Sequence, residues 1–105
     1  MEEIKKYKVI VSDRAKQMLG THMRFMAQVN KEAAVKKHKE IITAMRSLFQ
    51  MPQRFPFFDE MYIKPNKYHK MFIEKWYLVI YQIKDDTVYI EYIIDCRKDY
   101  SWLIR

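Results

Sequence analysis

The sequence predicts an α+β fold: a helical hairpin packed on a mostly antiparallel, curved β-sheet, in the order β-α-α-β-β-β with a short C-terminal helix. Two observations carry this. Residues 13–50 hold two amphipathic stretches, apolar at three- and four-residue steps, with almost no linker between them. Residues 67–73, 76–83 and 87–96 are rich in Ile, Val, Tyr, Phe and Trp, which suit a pleated surface. Glu74-Lys75 and Lys84-Asp85-Asp86 separate these runs and read as hairpin turns.

Taken in order, residues 5–11 alternate as a strand, with Tyr7, Val9 and Val11 on one side and Lys6, Lys8 and Ile10 on the other. Ser12 or Asp13 can cap the helix that follows, because a short oxygen-bearing side chain satisfies orphan N–H groups. That helix runs to about Val29. Its stripe is Ala15, Met18 or Leu19, His22, Phe25 or Met26, and Val29. Gly20 inside it costs roughly 1 kcal/mol of helix propensity relative to Ala, and permits close packing against a neighbour. Asn30 reads as a second cap. The second helix spans about 31–50, with Ala34, Ile41, Met45 and Leu48 on one face and Ile42 and Phe49 widening it. Two helices so closely joined fold back as a hairpin.

Pro52 ends the second helix, and residues 51–66 form a connector kept irregular by Pro56. Phe55, Phe57 and Phe58 make it too apolar for a free loop, so it packs onto the core. The strand Trp76–Ile83 is apolar on both faces and therefore central. In the last strand, Val88, Ile90, Tyr92, Ile94 and Cys96 form the face expected to meet the helices. Tyr89, Glu91, Ile93, Asp95 and Arg97 then line an open face, an assignment that a one-residue slip would invert.

At 105 residues the chain reads as one domain, 1–105, large enough to bury a core without staples. A single Cys excludes an internal disulfide and a Cys-rich zinc site, and fits a reducing, cytoplasmic setting. The start is charged and no apolar run approaches membrane-spanning length, so neither signal peptide nor membrane partner is expected. The net charge of +7 is uneven. Residues 1–50 carry 11 Lys and Arg against 5 Asp and Glu, and residues 51–105 carry 9 against 8. This excess favours an anionic partner: nucleic acid, a ribosomal surface or an acidic protein segment. A solvated Lys-rich helix face is the plainer reading.

On the expected open face, the candidates for chemistry are His69, Lys70, Asp95, Arg97, Lys98 and Tyr100. Arg and Lys stabilise charge on a phosphate in transit. His or Tyr moves protons. Each also has a structural reading: His69 as a half-buried strand residue, Arg97 and Lys98 as a solvated strand end, and Tyr100, Trp102 and Leu103 as anchors of the terminal helix. Cys96 reads as a small core residue. His22 and His38 have no metal-site spacing, and there is no glycine-rich phosphate loop. No cofactor, metal or small-molecule ligand is expected.

This order of elements resembles the RelE/ParE superfamily of toxins from bacterial type II toxin–antitoxin systems. The resemblance covers nearly the whole chain. It rests most on Trp76-Tyr77-Leu78-Val79-Ile80-Tyr81-Gln82-Ile83, on Ile94-Asp95-Cys96-Arg97-Lys98-Asp99-Tyr100, and on the connector from Leu48 to Pro56. It implies one of two activities. RelE-like members cut messenger RNA on the ribosome with basic side chains on the concave sheet face and, in some, a terminal tyrosine. ParE-like members inhibit DNA gyrase. Both are neutralised by a small antitoxin, which here would cover the hairpin or the concave face. By position, Arg97 matches a basic residue after the last strand, and Tyr100 lies near the terminal tyrosine. Lys67, His69 and Lys70 fall where the second strand carries basic residues. The chain departs from the nuclease pattern at Leu78, where RelE-like members usually have arginine. The long hairpin of residues 13–50 is more similar to the ParE branch.

Overall fold

A computed structural model describes residues 5–59, 64–73 and 77–95. Strand β1 (Lys8–Val11) leads into helices α1 (Asp13–Val29) and α2 (Lys31–Arg46), and strands β2 (His69–Ile73), β3 (Tyr77–Lys84) and β4 (Thr87–Asp95) follow. The sheet order is β1-β4-β3-β2. β1 pairs parallel with β4, whereas β2–β3 and β3–β4 are antiparallel. The predicted α+β arrangement, two helices on a mostly antiparallel sheet, is what forms. The expected Glu74-Lys75 turn and the C-terminal helix lie outside the described residues.

Local chemistry explains the helix ends. Ser12 Oγ accepts from the Ala15 amide at 3.0 Å and caps α1. Asn30 serves both helices. Its amide donates to the Met26 carbonyl at 2.9 Å, closing α1, and its Oδ1 accepts from the Ala33 amide at 3.1 Å, opening α2. The second helix stops at Arg46, short of the expected residue 50, and tightens into a 3-10 turn at Ser47–Phe49. Met51 then takes a left-handed backbone, φ 46°, ahead of Pro52. Arg54 closes this corner by reaching back to the carbonyls of Ser47, Gln50 and Met51 and to Ser47 Oγ.

The core under the helices collects Ala15, Leu19, Ile41, Met45 and Leu48 against Met71, Tyr77, Val79, Tyr81, Val88, Ile90 and Ile93. The other sheet face has its own cluster: Leu78, Ile80 and Ile94 beneath Phe58 of the connector. β3 is thus buried on both faces, as its sequence predicts. The connector also lengthens the sheet. Phe57 bridges His69, Lys70 N–H donates to the Pro56 carbonyl at 2.9 Å, and Phe58 N–H donates to the Tyr68 carbonyl at 2.7 Å.

The face assignment of β4 requires correction. Tyr81 pairs with Ile90 but Ile80 pairs with Tyr92, so Glu91 is an extra residue in a β-bulge. Strict alternation therefore fails halfway along the strand. Val88, Ile90 and Ile93 belong to the helix-side core, whereas Ile94 and Tyr92 belong to the opposite cluster. The bulge sits where β1 gives way to α1. There Ser12 Oγ donates to the Glu91 carbonyl at 3.2 Å, and His22 Nε2–H donates to the Ile93 carbonyl at 3.2 Å. Helix α1 thus satisfies the β4 edge beyond the end of β1.

Candidate functional site

Of the basic residues proposed for one open face, His69 and Lys70 do not share it. His69 lies on the helix side, 7% exposed. Its Nδ1–H donates to the Phe55 carbonyl at 2.8 Å, and its ring stacks on Tyr81 (centroids 5.3 Å apart) and tilts against Phe57 (4.3 Å). The adjacent Lys70 necessarily points to the opposite face, with its Nζ 5.9 Å from the Phe58 ring centroid. Asp95 is buried as well, not open. Arg97, Lys98 and Tyr100, together with Cys96, lie outside the described residues. Nor is the far face open at its centre. Leu78, at the position of the usual nuclease arginine, is 0% exposed and held among Ile80, Ile94 and Phe58.

What that face does carry is a polar network around the bulge. The Tyr68 hydroxyl and the Gln82 amide each donate to Glu91 Oε2 at 3.1 Å. Arg14 donates to the Tyr92 hydroxyl, and its guanidinium lies 4.8 Å from that ring centroid. Burial, and then the Glu91 carboxylate, push the Tyr68 phenol above its usual range. Tyr68 therefore keeps its proton and acts as a donor. Glu91 is already occupied by two donors. The arrangement suits binding through hydrogen bonds and cations better than it suits proton abstraction. The bulge that builds it has no mark in the alternation pattern, so the network was not readable from the residues alone.

A second feature lies at the end of the hairpin. The predicted α1 stripe is covered only at Ala15 and Leu19, with His22 and Met26 partly buried. Its last members, Phe25 and Val29, are 61% and 82% exposed. On a different face of α1, Met23 and Ala27 line, with Ala34 and Val35 of α2, an open groove of about 350 Å³ between the helices, rimmed by Arg24, Lys31, His38 and Lys39. Gly20 does not serve close packing between elements: a Cβ there would meet Arg24's own guanidinium at 3.3 Å and no other element.

Among the described residues, no three His, Cys, Asp or Glu side chains are grouped to hold a metal ion, and no helix is long and apolar enough to cross a membrane. No curated protein matches the chain. A solved structure described as the chromosomal ParDE TA system from P. aeruginosa superposes with a TM-score of 0.71 at 15% identity, covering 87% of this chain and 97% of that one. This likeness shows the fold. The family model of the ParE toxin of type II toxin-antitoxin systems matches residues 9–100. All but the first residue of strand β1, together with hairpin, connector and the other strands, falls within that match, and the chain belongs to the ParE toxin family, within the RelE/ParE superfamily of type II toxins.

Proposed function

We propose that this ParE-family chain arrests growth by binding DNA gyrase and not by cutting messenger RNA. The observation that carries the reading is Leu78, fully buried in an apolar cluster where RelE-like nucleases usually present an arginine to the scissile phosphate. Removing a charge that stabilises a transition state costs about 10²–10³ in rate. His69, hydrogen-bonded to backbone and stacked between two rings, supports the same reading, since it is not aimed at a substrate.

The cognate antitoxin, in this reading, uses the free edge of β2. Lys70 N–H is spent on Pro56, but proline has no N–H to return, so the added rung ends there. Phe72 lies two residues further on, with its N–H and C=O toward the same edge and its ring 53% exposed. An extended acidic segment gains backbone hydrogen bonds on such an edge and charge pairing with Lys67 and Lys70.

The test is a supercoiling assay with purified gyrase, run beside primer extension on a defined message in a bacterial translation mixture. Supercoiling should be inhibited while the message stays intact. Ribosome-dependent cuts in phase with codons, with normal supercoiling, would reverse the assignment. In that case Arg97→Ala should relieve growth arrest.

A further inference from the structure

We propose that residues 96–105 dock along one flank of α1, over Phe25 and Val29, so that the end of the chain straps the hairpin to the sheet. This goes beyond the proposed target and does not depend on it.

The register of α1 against β4 carries the inference. Helix and strand advance together. Ser12 Oγ donates to the Glu91 carbonyl and Arg14 to the Tyr92 hydroxyl, and further along both elements His22 Nε2–H donates to the Ile93 carbonyl at 3.2 Å. Met18, between these contacts, packs against the cluster that contains Ile94. On the helical wheel Met18, Phe25 and Val29 fall within about 40° of one another, on one flank of α1. The sheet covers the start of that flank. Strand β4 then ends at Asp95, about 7 Å past Ile93. Phe25 and Val29 lie about 4.5 Å and about 10.5 Å past His22 along the helix. The strand therefore ends level with two large apolar side chains that are 61% and 82% exposed, and the chain leaves it beside them.

The segment that follows has the chemistry to cover them. Residues 96–105 read CRKDYSWLIR. They span about 15 Å as a helix and about 33 Å extended, and either reaches the end of the flank. Tyr100, Trp102, Leu103 and Ile104 supply apolar surface, which gains by burial against Phe25 and Val29. Arg97 and Lys98 come first, level with Phe25, whose ring face attracts a cation. The last turn of α1 has no basic residue of its own, so the same pair meets the negative end of the helix dipole. Tethering selects this occupant. A segment that starts at Asp95 is held near the flank at an effective concentration on the order of millimolar, which a second copy or another protein does not match. The β2 edge, two strands away from β4, stays open.

The experiment reads the segment directly. The chain has two tryptophans, so Trp76→Phe leaves Trp102 as the reporter. In that background, Trp102 emission and acrylamide quenching are compared with those of Val29→Glu and of a control on the other helix, Val35→Glu. Circular dichroism melting checks that each is folded. Trp102 should be shielded in the parent. Val29→Glu should shift its emission to the red and roughly double its quenching constant, while Val35→Glu leaves both unchanged. A Trp102 as accessible as a free indole in the parent would overturn the inference. So would a response to Val35→Glu in place of Val29→Glu.

A second measurement locates the segment without altering the flank. A nitroxide on Ser101→Cys, in a Cys96→Ser background, should broaden amide signals most strongly over the last two turns of α1. Broadening confined to the end of β4, or centred on α2, would overturn the docking. Shielding of Trp102 that disappears on dilution, together with a dimer in sedimentation, would mean that the segment covers a second copy and would overturn it as well.

Discussion

His69 shows how one residue changes meaning between sequence and structure. A histidine beside a lysine on a strand invites a catalytic reading, but adjacent strand residues face opposite ways. Here the histidine goes inward, where it ties the connector to the sheet through Phe55 and packs between Phe57 and Tyr81. His69→Ala should cost roughly 2–4 kcal/mol, as expected for deleting a buried ring with its hydrogen bond. Urea unfolding would measure this, and growth arrest per folded molecule should be unchanged. Gly20 is the opposite case. Nothing but the mobile end of Arg24 stands near its missing Cβ, so Gly20→Ala should stabilise by about 0.5–1 kcal/mol. A rise of several degrees in melting temperature would be the readout.

The elements depend on each other's ends. Asn30 closes α1 with its backbone amide and opens α2 with its side chain, which is why the two helices need no linker. Asn30→Ala should cost about 1 kcal/mol. The effect should be local: faster amide exchange at Ala33 and its neighbours, with exchange in β3 much less affected, as hydrogen-exchange mass spectrometry would show. In β4, the bulge at Glu91 lets one strand serve two cores. It places Ile90 and Ile93 under the helices and Ile94 on the other face, and it gathers Tyr68 and Gln82 on the Glu91 carboxylate.

At the scale of the whole molecule, two phenols couple folding to alkaline pH. Burial pushes Tyr81 well above the usual phenol value of 10.0, with Arg54 opposing weakly, and Tyr68 is raised by burial and Glu91. Because the folded values exceed the unfolded ones, the stability these groups contribute is fully present below pH 10.0 and is lost as pH rises beyond it, when the unfolded chain ionises first. Unfolding free energy should therefore be insensitive to these tyrosines up to about pH 9 and fall steeply above. The Tyr81 hydroxyl also donates to the buried Pro52 carbonyl at 2.6 Å. Tyr81→Phe should thus be less stable at neutral pH, yet show a smaller alkaline loss.

The sequence by itself determined the element order, the two capped helices, the central position of β3 and the family, because these follow from local periodicity, short-range capping and a pattern spread along the chain. It also flagged Leu78 as a departure from the nuclease pattern. Tertiary structure alone decided which candidate side chains could meet. A single extra residue in β4 shifts its alternation, and the connector buries His69 and covers Leu78; both effects depend on strands brought together from distant parts of the chain. The exposed end of the α1 stripe has the same origin. Periodicity marks Phe25 and Val29 as one stripe with Ala15 and Leu19, but only the reach of the sheet determines how much of that stripe is buried.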